Sequence, residues 1–291
     1  MSKDPPWSVL RLLDWTTDFF KSREVDSPRL DAEVLLAEAM GCKRIELYTR
    51  FEEVPPTAVR DAFKALVKKR GDGSPVAYLV GRKEFYSLEF DVEEGVLIPR
   101  PDTELLVVTA LDLLKEGGVD EPMIADVGTG AGAVAVALAS QAPGVKVIAI
   151  DISPQAVALA NKNAEKHGVN DRVYATESDL FARLKETRTF DLIVSNPPYV
   201  TTNELIDLDA TVRDHEPHLA LDGGPEGTDV IERLLAEALA RLNEGGQLLI
   251  EIGPSIAPRV EGLVREAAGL EFVATLKDLA GRERVVHARR V

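Results

Sequence analysis

Leu192-Ile193-Val194-Ser195-Asn196-Pro197-Pro198-Tyr199 is the stretch on which the fold turns. An apolar run that breaks into a side-chain amide, two prolines and an aromatic ring reads as a buried strand. Its end would lie at the carboxyl edge of an open α/β sheet, where ligands sit. Pro197 and Pro198 lack an N–H and have a fixed φ, so the backbone is stiff and the Pro197 carbonyl need not join a neighbouring strand. Asn196 adds a carbonyl acceptor and an amide donor, and Tyr199 adds a flat, partly polar face. Two acceptors beside a stacking surface suit a planar carboxamide or an aromatic amino group. A proline-terminated strand entering an ordinary turn has the same letters, so the rest of the chain must decide.

On either side of that strand, strand and helix patterns alternate, the signature of a parallel sheet covered on both faces. Residues 123–127 form the first strand, followed by Gly128-Thr129-Gly130-Ala131-Gly132 and a helix through Val134, Val136 and Leu138. Residues 145–150 form the second, ending in Asp151, with Ser153-Pro154 opening the next helix. A third strand near 172–176 leads to Asp179-Leu180-Phe181. After the Asn-Pro-Pro-Tyr strand come a helix over 230–242, a strand over 247–252, a helix over 256–268, and late strands near 272–275 and 284–288.

Glycines after the first strand let the backbone turn tightly and approach a ligand. Asp151 follows them by roughly 20 residues, the separation at which an acidic side chain reaches a ribose diol. Gly128, Gly130 and Ala133 also satisfy the dinucleotide form G-x-G-x-x-G/A, so an NAD-binding reading stays open from the loop alone. Hydride transfer, however, has no evident need for an amide, two prolines and a tyrosine on the fourth strand. S-adenosylmethionine has a ribose, an adenine and a cationic sulfonium but no pyrophosphate, and Asp126, Asp151 and Asp179 suit a positive cofactor.

The front of the chain is helical. Val9, Leu10, Leu12, Leu13, Phe19 and Phe20 recur at helical spacing, and Ser27-Pro28 reads as a cap before Leu30, Val34, Leu35 and Ala39, with Gly41 as the stop. Val59, Phe63, Leu66 and Val67 make a third helix. Its Lys68-Lys69-Arg70 end suits the negative pole of a helix better than nucleic acid. Over 78–98 the period changes to two, with Phe85, Leu88, Phe90 and Val92, then Glu93-Glu94-Gly95, then Val96, Leu97 and Ile98, which predicts a hairpin. The expected layout is a helical domain over 1–75, a β-hairpin linker over 76–100 and a catalytic domain over 101–291. In Ile98-Pro99-Arg100-Pro101-Asp102-Thr103-Glu104 the prolines force an extended approach, and Asp102 or Thr103 can cap the next helix. Arg100 is either a surface cation beside that cap or a carboxylate ligand facing the site.

Composition removes whole classes. The formal net charge of -15 opposes a long phosphate footprint. Cys42 is the only cysteine, so neither an intramolecular disulfide nor a cysteine-based zinc site is available. His167 and His218 have no metal-like spacing, and no metal is expected. Met1-Ser2-Lys3-Asp4-Pro5-Pro6-Trp7 lacks the apolar core of a signal peptide and no run is long enough to span a membrane, so a cytoplasmic location is expected. Residues 200–228 show few strand or helix signals, a long connection for a compact domain, and are either solvated surface or a closing segment.

The glycine loop, Asp151 and Asn196-Pro197-Pro198-Tyr199 resemble class I S-adenosylmethionine-dependent amino-methyltransferases. More narrowly, Ile98-Pro99-Arg100-Pro101-Asp102-Thr103-Glu104 and Val212-Arg213-Asp214-His215-Glu216-Pro217 resemble the peptide chain release factor glutamine N5-methyltransferases, the PrmC/HemK family. The likeness covers nearly the whole chain. It departs at His215, where the family often has an aromatic residue, and at Leu180, where tryptophan is common. The resemblance implies a Rossmann-like seven-stranded sheet with its last pair antiparallel, and methyl transfer from S-adenosylmethionine to the glutamine N5 of a release factor's Gly-Gly-Gln motif, leaving S-adenosylhomocysteine. It implies that Gly128, Thr129, Gly130, Ala131 and Gly132 line the cofactor's methionine end, that Asp151 accepts from its ribose, and that Asp179 and Leu180 flank the adenine. Asn196, Pro197 and Tyr199 are the implied catalytic residues: Asn196, which would also border the cofactor, and the Pro197 carbonyl would accept from the glutamine amide while Tyr199 packs against its plane, with Pro198 and Arg100 completing the substrate site. Release factors are the expected partners, recognised partly by the helical front domain, and a monomer is expected. Other readings are adenine methylation in nucleic acid, another protein glutamine, and a non-catalytic nucleotide-binding module. Gly245-Gly246-Gln247 happens to spell the Gly-Gly-Gln motif but reads as a turn into the strand that follows.

Overall fold

The computed structural model describes residues 6–291; residues 1–5, part of the N-terminal stretch read above for a signal sequence, lie outside them. In chain order the elements are α1 (Val9–Lys21), α2 (Pro28–Met40), α3 (Thr57–Gly71), α4 (Val76–Val80), β1 (Arg82–Phe85), β2 (Leu88–Asp91), α5 (Glu104–Gly117), β3 (Met123–Val127) and α6 (Ala133–Gln141). There follow β4 (Lys146–Asp151), α7 (Pro154–Lys166), β5 (Val173–Glu177), β6 (Phe190–Ser195), α8 (Ala210–Arg213), α9 (Asp229–Arg241), β7 (Leu242–Glu251), α10 (Ala257–Glu266), β8 (Leu270–Lys277) and β9 (Glu283–Arg290). The described residues form two units, one running up to residue 81 with 210–215, the other of 82–209 with 216–291.

In the first unit the apolar periodicity becomes a core containing Leu13, Phe20, Leu35, Leu36 and Phe63. Burying each such side chain contributes about 1.5–3 kcal/mol. Ser8 caps α1 by accepting from Arg11 N, and Gly41 ends α2 in the left-handed region with φ 60°. At the end of α3, Arg70 meets the largely buried Asp31 at 2.7 Å and donates to Thr211 Oγ1 at 3.3 Å, so this cation is committed within its own unit.

The second unit holds a seven-stranded sheet ordered β5-β4-β3-β6-β7-β9-β8. β5, β4, β3, β6 and β7 run parallel, and β9 is antiparallel to both β7 and β8. Alternate residues of β6 feed opposite faces: Leu192 and Val194 enter one core cluster and Ile193 the other. Chain order reverses between β3 and β6, because the chain moves outward from β3 through β4 to β5 before returning to β6. Carboxyl ends at such a reversal leave a crevice. The glycine loop follows β3 and the Asn-Pro-Pro-Tyr stretch follows β6, so both open into it. Val127 and Ser195 are in register there, and the Ser195 hydroxyl donates to Val127 O at 2.7 Å.

Two local expectations need correction. The hairpin turns at Tyr86-Ser87, with φ of 50° and 59°, and pairs Phe85 with Leu88; residues 96–98 are not a strand. Non-glycine residues at positive φ carry no turn signal, and this turn is held from outside by Glu104 Oε1, which accepts from Tyr86 N at 2.9 Å. Gly245-Gly246 is not a turn preceding β7 but lies within it. The chain bulges there, so that Phe190 pairs with Leu242 and Leu192 with Gln247.

Candidate active site

The crevice holds a cavity of about 250 Å3, walled by the glycine loop, residues 95–100, Asp151, Asp179-Leu180 and Asn196-Pro197-Pro198. Gly128, Gly130 and Gly132 all have positive φ, at 76°, 55° and 80°. A Cβ on Gly132 would lie 3.0 Å from the Ala160 Cβ, and one on Gly128 would lie 3.6 Å from the Asn196 carbonyl oxygen. The loop is therefore bare backbone pressed between α7 and the β6 edge. Asn163 of α7 fastens it, donating from Nδ2 to Ala131 O at 2.8 Å and to Asp91 O at 3.0 Å.

Asp126 is buried beneath the loop, accepting at Oδ2 from Thr129 Oγ1 at 2.6 Å and from Ala135 N at 3.1 Å. Burial pushes its carboxyl up to about 6 against the pull of those bonds. Asp151 ends β4. Its Oδ2 accepts from Gly130 N and its Oδ1 from Ser153 N, each at 2.9 Å, while burial raises its pKa more than these donors lower it. Each oxygen retains a lone pair for a ligand hydroxyl.

Asp179 and Leu180 both face the cavity. Asp179 pairs with Arg233 at 2.8 Å in a half-exposed contact, and Leu180 is buried with φ 46°, a backbone state that costs about 1 kcal/mol or more for a non-glycine residue. His215, the other departure from the family pattern, belongs to the helical unit. Its Nε2 lies 3.0 Å from where a Cβ on Gly73 would stand.

Asn196 Nδ2 donates to Thr103 Oγ1 at 3.1 Å. Thr103 stands at the N-cap of α5, yet its side chain makes no capping bond; the hydroxyl is used across the site instead. The loop after Asn196 is braced by backbone. Val200 N donates to Leu221 O and Gly223 N to Val200 O, and a Cβ on Gly227 would come within 2.6 Å of the Tyr199 carbonyl. Nothing periodic in 200–228 predicts this brace, although Gly223, Gly224 and Gly227 are its visible trace. Pro217, Leu219 and Ala220 of the same segment also line the cavity. Tyr199 lies outside that lining; its ring packs against Gly253, 3.3 Å from the site of a Cβ there. Desolvation, reinforced by Glu251, pushes its phenol up to about 12.

Arg100 reaches the cavity wall but is already engaged. Its Nη2 meets Glu216 Oε1 at 2.5 Å, and Glu216 Oε2 accepts from Ile98 N at 3.2 Å. One buried carboxylate thus ties the Ile-Pro-Arg-Pro segment to the segment before Pro217. Replacing it by Glu216→Ala unpairs a backbone donor and a cation and is expected to cost about 2 kcal/mol. A downward shift of the urea midpoint would register the loss; an unchanged midpoint would remove the tie.

Glu251 escapes the sequence reading. It ends β7 next to Ile250, the partner of Ser195, and is 1% exposed with no hydrogen bond to either carboxylate oxygen. The clue was a carboxylate inside the apolar run Leu248-Leu249-Ile250-Glu251-Ile252. Among the described residues no helix is long and apolar enough to cross a membrane, and no group of three or more His, Cys, Asp or Glu side chains is placed to hold a metal.

Residues 11–81 match the PrmC N-terminal domain and residues 103–224 the methyltransferase small domain. The chain is 50% identical over 287 residues to the release factor glutamine methyltransferase of Rhodopirellula baltica, spanning 98% of this chain and 97% of that one. It is 40% identical over 283 residues to the enzyme of that name from Geobacter sulfurreducens, spanning 97% of each. Among solved structures, a T. thermophilus 16S rRNA N2 G1207 methyltransferase in complex with AdoMet and guanosine shares the fold at a TM-score of 0.54, with 24% identity over 72% of this chain and 50% of that one. Bare glycines against the β6 edge and an aspartate with free lone pairs suit a cofactor that presents a ribose diol, as S-adenosylmethionine does. With relatives this similar along nearly its whole length, the chain belongs to the release factor glutamine methyltransferases, a family of S-adenosylmethionine-dependent enzymes.

Proposed function

We propose that the protein methylates the side-chain amide nitrogen of the glutamine in the Gly-Gly-Gln motif of peptide chain release factors, acting as a monomer in the cytoplasm. The observation that carries this reading is the orientation of Asn196. With Nδ2 committed to Thr103, its Oδ1 is the atom left for a ligand, beside Pro197 and opposite the glycine loop. An amide nitrogen is a poor nucleophile because its lone pair is delocalised into the carbonyl. Asn196 Oδ1 and the Pro197 carbonyl accept its two N–H bonds, which favours a pyramidal nitrogen and aims the remaining lobe. Tyr199 braces the loop that carries both acceptors, and its neutral hydroxyl adds no charge. Gly128 to Gly132 receive the cofactor's methionine end, Asp151 its ribose, and Asp179 with Leu180 its adenine. The cofactor supplies an electrophilic methyl group on a cationic sulfonium, which the nearby carboxylates of Asp126 and Asp151 suit. No general base is needed, because the nitrogen becomes strongly acidic once alkylated. Arg100, held by Glu216, shapes the wall that the glutamine backbone approaches, and Pro198 stiffens the loop.

The competing adenine reading shares the planar amino group, but the net charge of -15 opposes nucleic acid. The test offers labelled S-adenosylmethionine with a purified release factor, its Gln→Ala variant in Gly-Gly-Gln, and an adenine-rich DNA. Label on the intact release factor alone is expected; label on the DNA, or equally on the variant, would overturn the assignment.

A further inference from the structure

Thr103 and Glu251 lie outside the set of residues that the reaction itself requires, yet Thr103 accepts from Asn196 and the Glu251 carboxylate is near the Thr103 hydroxyl. A threonine hydroxyl has one proton and accepts on its lone pairs. Facing an asparagine, it is ambiguous, since it can accept from Nδ2 or donate to Oδ1, and the amide can flip to match. In the flipped state Nδ2 would point at the substrate amino group, donor against donor. A third group that only accepts removes the ambiguity.

Glu251 is placed as that group. Its carboxylate is buried at the end of β7, with the Thr103 and Tyr199 hydroxyls nearby. Both hydroxyls are near enough to favour its ionised form, although neither completes a hydrogen bond in this conformation. Two carboxylate oxygens without a hydrogen bond, near two hydroxyls, leave a network that side-chain rotation can complete. Asp102, on the turn before α5, meets Arg284 of β9 at 2.7 Å, which fixes the backbone presenting Thr103.

We infer that Glu251 draws the Thr103 hydroxyl proton toward itself, so that Thr103 Oγ1 can only accept from Asn196 Nδ2 and Asn196 Oδ1 is locked toward the substrate amide. The second carboxylate oxygen takes the Tyr199 hydroxyl and steadies the following loop. Glu251 and Thr103 are thus positioning residues, and the inference rests on Asn196 binding the glutamine. The relay needs an ionised carboxylate, because a protonated one can donate to Thr103 and release the flip. Burial, helped by Asp102, pushes Glu251 up to about 7 against the downward pull of the Thr103 hydroxyl, Arg284 and the Tyr199 hydroxyl. Activity is therefore expected to rise with pH through about 7.

The test compares kcat, KM for the release factor and cofactor affinity in the full-length wild type, Thr103→Val, Thr103→Ser and Glu251→Gln. Thr103→Val keeps the shape and removes the hydroxyl, and kcat is expected to fall about 10- to 100-fold with cofactor affinity unchanged. Thr103→Ser restores the hydroxyl and should recover most of the loss, which mere packing would not explain. Glu251→Gln should lower kcat and abolish the inflection near pH 7. Full kcat in Thr103→Val, no rescue by serine, or an inflection that survives in Glu251→Gln would overturn the relay. A wild-type enzyme that leaves the release factor unlabelled would instead overturn the substrate reading, and the relay with it.

Discussion

Asn196→Ala is expected to lower kcat for the release factor about 100- to 1,000-fold while changing cofactor affinity little, the scale of losing one preorganised partner of a transition state. The amide nitrogen reacts only after its conjugation is disturbed, and in the proposed reading Asn196 Oδ1 supplies half of the acceptor pair that disturbs it. Alanine removes that acceptor without touching the glycine loop or Asp151, the groups set to hold the cofactor. Thr103 loses only the donor to its Oγ1 in the same step, so the fold is spared a large penalty. Steady-state kinetics beside cofactor titration separates the two effects. Parallel losses in kcat and in cofactor affinity would assign Asn196 to the cofactor instead.

Glu251→Gln should stabilise the protein at alkaline pH. The folded pKa, about 7, stands above the ordinary glutamate value of 4.5. The folded state therefore holds a proton that the unfolded state releases between those two values. Stability from this group is complete below pH 4.5 and is lost as pH rises through 7, by about 3 kcal/mol in all. Glutamine stays neutral, so the variant lacks that decline. Its advantage should be near zero at pH 4.5 and approach about 3 kcal/mol at pH 8. Asp126, pushed up to about 6, gives a similar decline at lower pH, but both proteins contain it and the difference cancels. Urea titrations at several pH values measure this directly. A constant difference between the two proteins would mean that Glu251 is not a strained buried carboxylate. Stability gained where turnover is lost is what a carboxylate kept for positioning entails.

The fold was legible because its signals are local. Apolar runs closed by Gly128 to Gly132, by Asp151 and by Asn196 to Tyr199 place three loops on one sheet edge, and a parallel sheet gives them a single crevice. The family motifs narrowed the reading to a glutamine amide, and a relative at 50% identity is a release factor glutamine methyltransferase. Other features were hidden because they depend on partners distant in sequence. The Tyr86-Ser87 turn is held by Glu104, and Arg100 is met by Glu216 across 116 positions. Thr103 reads as a helix cap by its neighbours and becomes a polar contact only when β6 arrives. Glu251 is a single charge in the apolar run over 248–252, and only the sheet register reveals that it ends beside Ser195.

The most direct test is mass spectrometry of the Gly-Gly-Gln peptide after a release factor has been incubated with the enzyme and S-adenosylmethionine. A single added methyl group on the glutamine side chain is predicted, absent when Asn196→Ala replaces the wild-type enzyme. Methylation at any other residue, or a glutamine methylated equally well by Asn196→Ala, would contradict the account.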